Sequence, residues 1–134
     1  TRTRFCELLC AGNMIILAGK FFDAFVDPKG LVVSPKGDYV YVTDLGSIAS
    51  SASPSVKRVS VATGEMSSLA GGRLRVTEPI DGVGTRAGFV SAYDAACDGD
   101  CRILYVADTA AVRRVDAASG ESTNNVHTNQ VGSQ

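Results

Sequence analysis

The apolar positions of this chain fall in short runs, not in helical periods. Leu-Val-Val occupies 31–33, Tyr-Val-Tyr-Val-Thr 39–43, Val-Lys-Arg-Val-Ser-Val 56–61 and Glu-Met-Ser-Ser-Leu 65–69, and clusters of Gly, Pro, Asp or Ser separate the runs. Runs this short, alternating or nearly so and bounded by turn residues, predict β-strands. Pro35-Lys-Gly-Asp38 and Ala62-Thr-Gly-Glu65 supply the turns, each with a glycine free to take positive φ. Nowhere does the chain hold the roughly 18 uninterrupted apolar residues that a helix needs to span a bilayer.

The pattern also repeats. Tyr39-Val-Tyr-Val-Thr-Asp44 returns as Ile103-Leu-Tyr-Val-Ala-Asp108, so Tyr41 matches Tyr105 and Asp44 matches Asp108. Phe25-Val26 and Phe89-Val90 open segments that run without a gap to those aspartates. Val56-Lys-Arg-Val-Ser-Val-Ala-Thr-Gly-Glu65 matches Val112-Arg-Arg-Val-Asp-Ala-Ala-Ser-Gly-Glu121, and Met-Ile-Ile-Leu-Ala-Gly at 14–19 matches Met-Ser-Ser-Leu-Ala-Gly at 66–71. Blocks in one order, joined by connections of unequal length, mark a structural repeat with insertions confined to loops.

Four short antiparallel strands in a unit of roughly fifty residues describe a β-propeller blade. The expected fold is all-β. Residues 1–13 are expected to close a preceding blade, 14–71 to form one blade and 72–121 a second, with 122–134 a polar, disordered tail. Such a set cannot close a ring, and an isolated pair of blades would expose apolar faces and unpaired edges. The chain opens on Thr1 instead of Met, which also suggests processing or a longer parent. A signal peptide is the competing reading of the first residues, with Arg2 and Arg4 before an apolar run, but Glu7 and Asn13 interrupt that run.

These residues resemble a known family. Pro28-Lys-Gly-Leu-Val-Val-Ser-Pro-Lys-Gly-Asp-Tyr-Val-Tyr-Val-Thr-Asp44 is similar to the NHL repeat: Pro-x-Gly, two aliphatics, a Gly-containing turn, then an aliphatic-Tyr-Val-Ala/Thr-Asp strand. Asp81-Gly-Val-Gly-Thr-Arg-Ala-Gly-Phe89 resembles the loop that often precedes such a repeat. Gly30, Phe25, Phe89, Tyr41, Tyr105, Asp44 and Asp108 are then structural repeat positions. The second unit departs by carrying Ala92 and Asp94 in place of Pro28 and Gly30, and the first carries a serine-rich connection at 45–55. The resemblance implies a six-bladed ring completed by further chain or by copies. It also implies a noncatalytic module that presents loops to a protein or glycan partner. The alternative by the same likeness is a lactonase-like or lyase-like enzyme with a metal in the central channel; that rests on fold analogy alone. No cofactor is expected for the module.

Composition changes little in this picture but removes some classes. A hydrophobic fraction of 45% with 20% charged residues excludes wholesale disorder. A net charge of −1 gives no general field for nucleic acid or anionic membrane. Some NHL propellers bind RNA through a basic face, and the near-neutral charge without interleaved aromatics weighs against that here.

Four cysteines form two pairs of equal spacing, Cys6 with Cys10 and Cys97 with Cys101. Cys97 and Cys101 bracket a hairpin loop, where facing residues come within disulfide range, so two structural disulfides are the first reading and place the protein outside the cell or in the secretory pathway. Unpaired thiols and a four-thiolate zinc site are the alternatives; zinc would require pairs on different blades to meet. No glycosylation sequon bears on the compartment. Gly82-Val-Gly84 with Gly88 lacks the Lys-Ser/Thr and the helix of a phosphate loop and reads as a connection. His127 lies in the polar tail. Asp44 and Asp108 end equivalent strands, and because they repeat they read as acceptors of backbone N–H groups in the following turn, not as catalysts. Of the pairs Lys57-Arg58 and Arg113-Arg114, strand alternation sends one residue toward the sheet face, where its stem can pack, and the other to solvent.

Overall fold

A computed structural model describes residues 25–109 and 111–124. Nine strands follow one another: β1 (Pro28–Val33), β2 (Tyr39–Asp44), β3 (Ser55–Ser60), β4 (Met66–Gly71), β5 (Gly82–Val83), β6 (Ala92–Cys97), β7 (Ile103–Asp108), β8 (Ala111–Asp116) and β9 (Glu121–Asn124). Among the described residues one 3-10 turn, Gly84–Arg86, precedes β6, and no helix is long and apolar enough to cross a membrane. The all-β expectation is met. The strands group into an antiparallel sheet ordered β1-β2-β3-β4 and a second ordered β5-β9-β8-β7-β6. Strands β6 to β9 therefore repeat the order of β1 to β4, with β5 added at the far edge.

The strand positions follow the sequence pattern closely. β1 starts three residues before its apolar run because a bulge between Pro28 and Gly30 lets the chain keep pairing with β2 down to Asp44. The same bulge recurs between Ala92 and Asp94. The first three residues of the expected tail are strand, and 125–134 lie outside the described residues. Ser122 to Asn124 belong to β9, paired with Val115 to Arg113, and Ser122 is fully buried. Residues 1–13, the pair Cys6 and Cys10, and His127 lie outside the described residues.

Alternation decides how the two sheets meet. One face of the first sheet offers Tyr41, Val56, Leu69 and Ala70; the opposing face of the second offers Phe89, Leu104, Val106, Val115 and Ala117. Together they form one buried cluster. The first sheet's other face holds a smaller one, Val40, Val42 and Val59, with Phe25, Val61 and Met66 packed against it. Aligned positions thus sit on opposite sides of an interface: Val40 and Val59 on the far face match Leu104 and Val115 at the junction.

Close backbone approach explains two glycines. A Cβ at Gly30 would collide with the Asp94 side chain and come within 2.7 Å of its Cα, because β1 and β6 lie side by side where the sheets meet. Gly71, at φ +76°, faces the Phe89 ring and the Pro54 carbonyl at 2.6 and 2.7 Å from such a Cβ. That same tight fit is what fully buries Phe89.

The β1–β2 and β6–β7 hairpins show the repeat most sharply. In the first, Gly37 at φ +72° donates to the Ser34 carbonyl at 2.8 Å; in the second, Cys101 at φ +59° donates to the Asp98 carbonyl at 2.9 Å. Sixty-four positions separate Gly37 from Cys101 and likewise Val33 from Cys97. Cys97 and Cys101 are joined by a disulfide, so a covalent strap holds a side chain at a left-handed position that glycine fills in the sister turn. Replacing both cysteines with alanine is expected to cost roughly 2–3 kcal/mol, from the lost short-loop constraint and the unstrapped left-handed residue. The pair Cys97→Val with Cys101→Gly, which copies the sister turn, should recover about 1 kcal/mol of that. Urea unfolding of the variants measures both differences.

Candidate functional site

Chemistry gathers at the two opposite ends of the strands. At one end stand Asp44 and Asp108, each the last residue of its strand and each buried. Asp44 accepts from the Val26 amide at 2.9 Å, the Asp27 amide at 2.8 Å and the Gly46 amide at 3.0 Å. Asp108 accepts from the Val90 and Ser91 amides at 2.9 and 2.7 Å. Both carboxylates therefore hold mainly the segment that leads into the strand preceding their own, β1 for Asp44 and β6 for Asp108, and only Asp44 also reaches into the following turn. Their backbone-binding role stands, with this change of partner. Burial by itself would raise the Asp44 pKa, but the amides of Asp27, Val26 and Gly46, with Lys57 nearby, outweigh it and hold the carboxyl below the usual range.

Each aspartate has a cation at the matching position of the third strand. Lys57 Nζ lies 4.0 Å from Asp44. Arg113 is fully buried, and its Nη1 meets Asp108 at 3.2 Å and the Gly88 carbonyl at 2.9 Å. Its Nη2 donates to the Ile80 carbonyl at 2.9 Å and lies 3.4 Å from Asp81. The guanidinium also stacks 5.0 Å from the Phe89 ring centre, while its Nε–H has no acceptor among the described residues. Alternation turns Arg113 inward and leaves Arg114 half-buried on the opposite face. The charged head is buried with the stem, which the pairing Lys57-Arg58 with Arg113-Arg114 did not by itself foretell. The acceptors lie in and beside the Asp-Gly loop that precedes Phe89: the Asp81 carboxylate and the flanking carbonyls of Ile80 and Gly88.

At the opposite end, the hairpin turns of the two sheets enclose a cleft of about 470 Å³. Ser34 to Asp38 form one wall and Asp100 to Arg102 the other, the turn after β8 closes the side, and Tyr39, Tyr41 and Arg58 line the base. Arg58 stacks 5.0 Å from the Tyr39 ring centre, and the Tyr39 and Tyr41 rings lie 6.5 Å apart. Burial raises the Tyr41 pKa. Cys101 is part of this wall, so the disulfide fixes one side of the cleft. Its bond removes two of the four sulfurs that a zinc site would have needed. Among the described residues no three His, Cys, Asp or Glu side chains come together as a metal site.

Of the repeat positions singled out in the sequence, the structure places Phe89, Asp44, Asp108 and Tyr41 in buried, contact-bearing roles and Gly30 at the approach of the two sheets. Phe25 is half-buried against the smaller cluster, and Tyr105 is half-buried on the outer face of the second sheet. The cleft was not visible in the sequence, because its walls come from turns of different sheets. Fold and geometry together define an all-β chain of two repeated sheets, pinned at one end by buried carboxylates and open at the other in a charged cleft. No protein-family model matches the chain, and no curated protein matches it.

The anchoring of Asp44 has a pH consequence. A carboxyl whose pKa is lowered by folding contributes stability that is present above its unfolded pKa of about 3.9 and lost as pH falls through the lower folded value. Asp44→Asn is expected to cost about 1–3 kcal/mol at neutral pH. Its unfolding free energy should also decline less steeply than that of the parent chain as the pH drops below about 4. Urea melts of both proteins across that range read the two slopes.

Proposed function

We propose that the two sheets are consecutive blades of an NHL-type propeller. In this reading the chain is a noncatalytic module for protein or glycan interaction in an extracellular or luminal assembly. One observation carries the reading: the second sheet carries the same docking face as the first, without a neighbour among the described residues. Val56, at the junction, is 0% exposed, whereas its counterpart Val112 is 41% exposed. Thr43 is buried and its counterpart Ala107 is exposed; Tyr41 is buried and Tyr105 only half-buried. The repeated stacking geometry calls for a further sheet of the same kind, from more of the same chain or from a copy. A heterologous contact of this type continues until it closes a ring.

Two further features suit display to a partner. The connection between β2 and β3 is a small ordered loop, closed by paired amides and carbonyls of Ser47 and Ala52 and by Arg75 on the Ala52 carbonyl. Its tip presents Ile48 at 80% exposure. The disulfide supports an oxidising compartment.

An exposed docking face should make the isolated chain self-associate. Sedimentation velocity over a concentration series is expected to show association that Val112→Lys abolishes with unchanged circular dichroism. A chain that stays monomeric at every concentration, and is indifferent to Val112→Lys, would count against the reading.

A further inference from the structure

The strap between Cys97 and Cys101 has three features that bear on its chemistry. It closes a turn of only three residues, Asp98-Gly-Asp100, at the end of the edge strand β6. It holds Cys101 at φ +59°, a left-handed position that the sister turn gives to Gly37. Its two ends differ in access: Cys101 is 4% exposed, whereas Cys97 is half-buried. A disulfide stabilises a fold by the same factor by which the fold stabilises the disulfide. For a loop this short, lost chain entropy makes that factor about 30-fold, against roughly 3,000-fold for a loop of about a hundred residues. The left-handed cysteine lowers it again, since a freed residue can leave a conformation that is disfavoured about five- to thirtyfold for an L-residue. The Cys101 sulfur also lies 3.9 Å from the Val33 carbonyl, a contact in which a thiol can donate and a disulfide sulfur cannot. Folding therefore protects this bond weakly.

We propose that Cys97 and Cys101 form a thiol–disulfide exchange site, a reversible latch on the β6–β7 turn that a small thiol of the glutathione class opens. The thiolate attacks the sulfur of Cys97, the more accessible end. The sulfur–sulfur bond breaks, and its electron pair leaves on Cys101, which takes a proton from water. A second thiolate attacks the glutathione sulfur of the mixed disulfide; glutathione disulfide departs, and Cys97 leaves as a thiolate that is protonated in turn. Two glutathione molecules are oxidised and one protein disulfide is reduced. Opening is local, because the second sheet is held at the other end of its strands. There Asp108 binds the Val90 and Ser91 amides and Arg113 the Gly88 and Ile80 carbonyls, and the exchange touches none of these. The freed turn is a wall of the cleft and meets the β1–β2 hairpin at Val33, so the redox state decides how firmly that wall is held. The latch needs neither a third sheet nor a protein partner.

The test equilibrates the 134-residue chain and a blocked peptide of residues 93–105 in one series of glutathione and glutathione disulfide buffers. Acid quenching, alkylation and peptide mass spectrometry then read Cys97 and Cys101 apart from Cys6 and Cys10. The disulfide of the chain should be at most about 30-fold harder to reduce than that of the peptide. In Cys101→Ser, which removes the leaving sulfur, glutathione should add to Cys97 and stay there. The reduced chain should keep its circular dichroism and lose protection from hydrogen exchange at the amides of residues 98–102, while the Val90 and Ser91 amides keep theirs. A disulfide more than about a hundredfold harder to reduce in the chain than in the peptide would overturn the assignment. So would a Cys97 that takes up no glutathione, or a reduction that unfolds the second sheet. Self-association is read in a separate experiment, so either result can fail without the other.

Discussion

The buried contact between Asp108 and Arg113 is the constraint on which the second sheet depends. Asp108 ends β7 and ties down the two amides that lead into β6; Arg113, one strand over, ties down the carbonyls of Gly88 and Ile80 in the connection from the first sheet. Between them lies Phe89, packed under the guanidinium and against Gly71 of β4. A carboxylate and a guanidinium taken out of water are costly unless both are satisfied, and here backbone groups supply most of the partners. The first sheet has the weaker version, Asp44 with the partly exposed Lys57 at 4.0 Å.

From that constraint the rest of the architecture follows. With the connecting segment fixed, Phe89, Leu104 and Val115 face Tyr41, Val56 and Leu69 across one apolar layer. The strand ends at the aspartates are held by these backbone bonds, and at the opposite ends the turns of both sheets line a cleft. The disulfide at Cys97 and Cys101 stiffens the one turn there that lacks the glycine of its sister.

Much of this was legible in the residues because a repeat states its constraints twice. The strands, the turns, the Cys97 and Cys101 strap and the backbone-binding role of Asp44 and Asp108 all follow from alternation, turn chemistry and recurrence. What could not be read was the identity of the groups that meet across the sheets. Lys57 and Arg113 look interchangeable in an alignment, yet the arginine reaches the Ile80 and Gly88 carbonyls and the Asp81 carboxylate of its connecting loop, while Lys57 donates to the Ser55 hydroxyl beside Asp44. The polarity of Ser122 to Asn124 suggested a loose tail, while their pairing with β8 carries the sheet past the end of the apolar pattern. The cleft is a product of tertiary placement: Arg58 and Arg102 are forty-four residues apart and share no local motif.

A double-mutant cycle on Asp108→Asn and Arg113→Met tests the central constraint most directly. Each single variant leaves a buried partner uncompensated, so each should lose about 3–5 kcal/mol in urea unfolding. The double variant should lose less than the sum by roughly 0.5–3 kcal/mol. Losses that simply add would contradict the account, because the two side chains would then be stabilising the sheet independently.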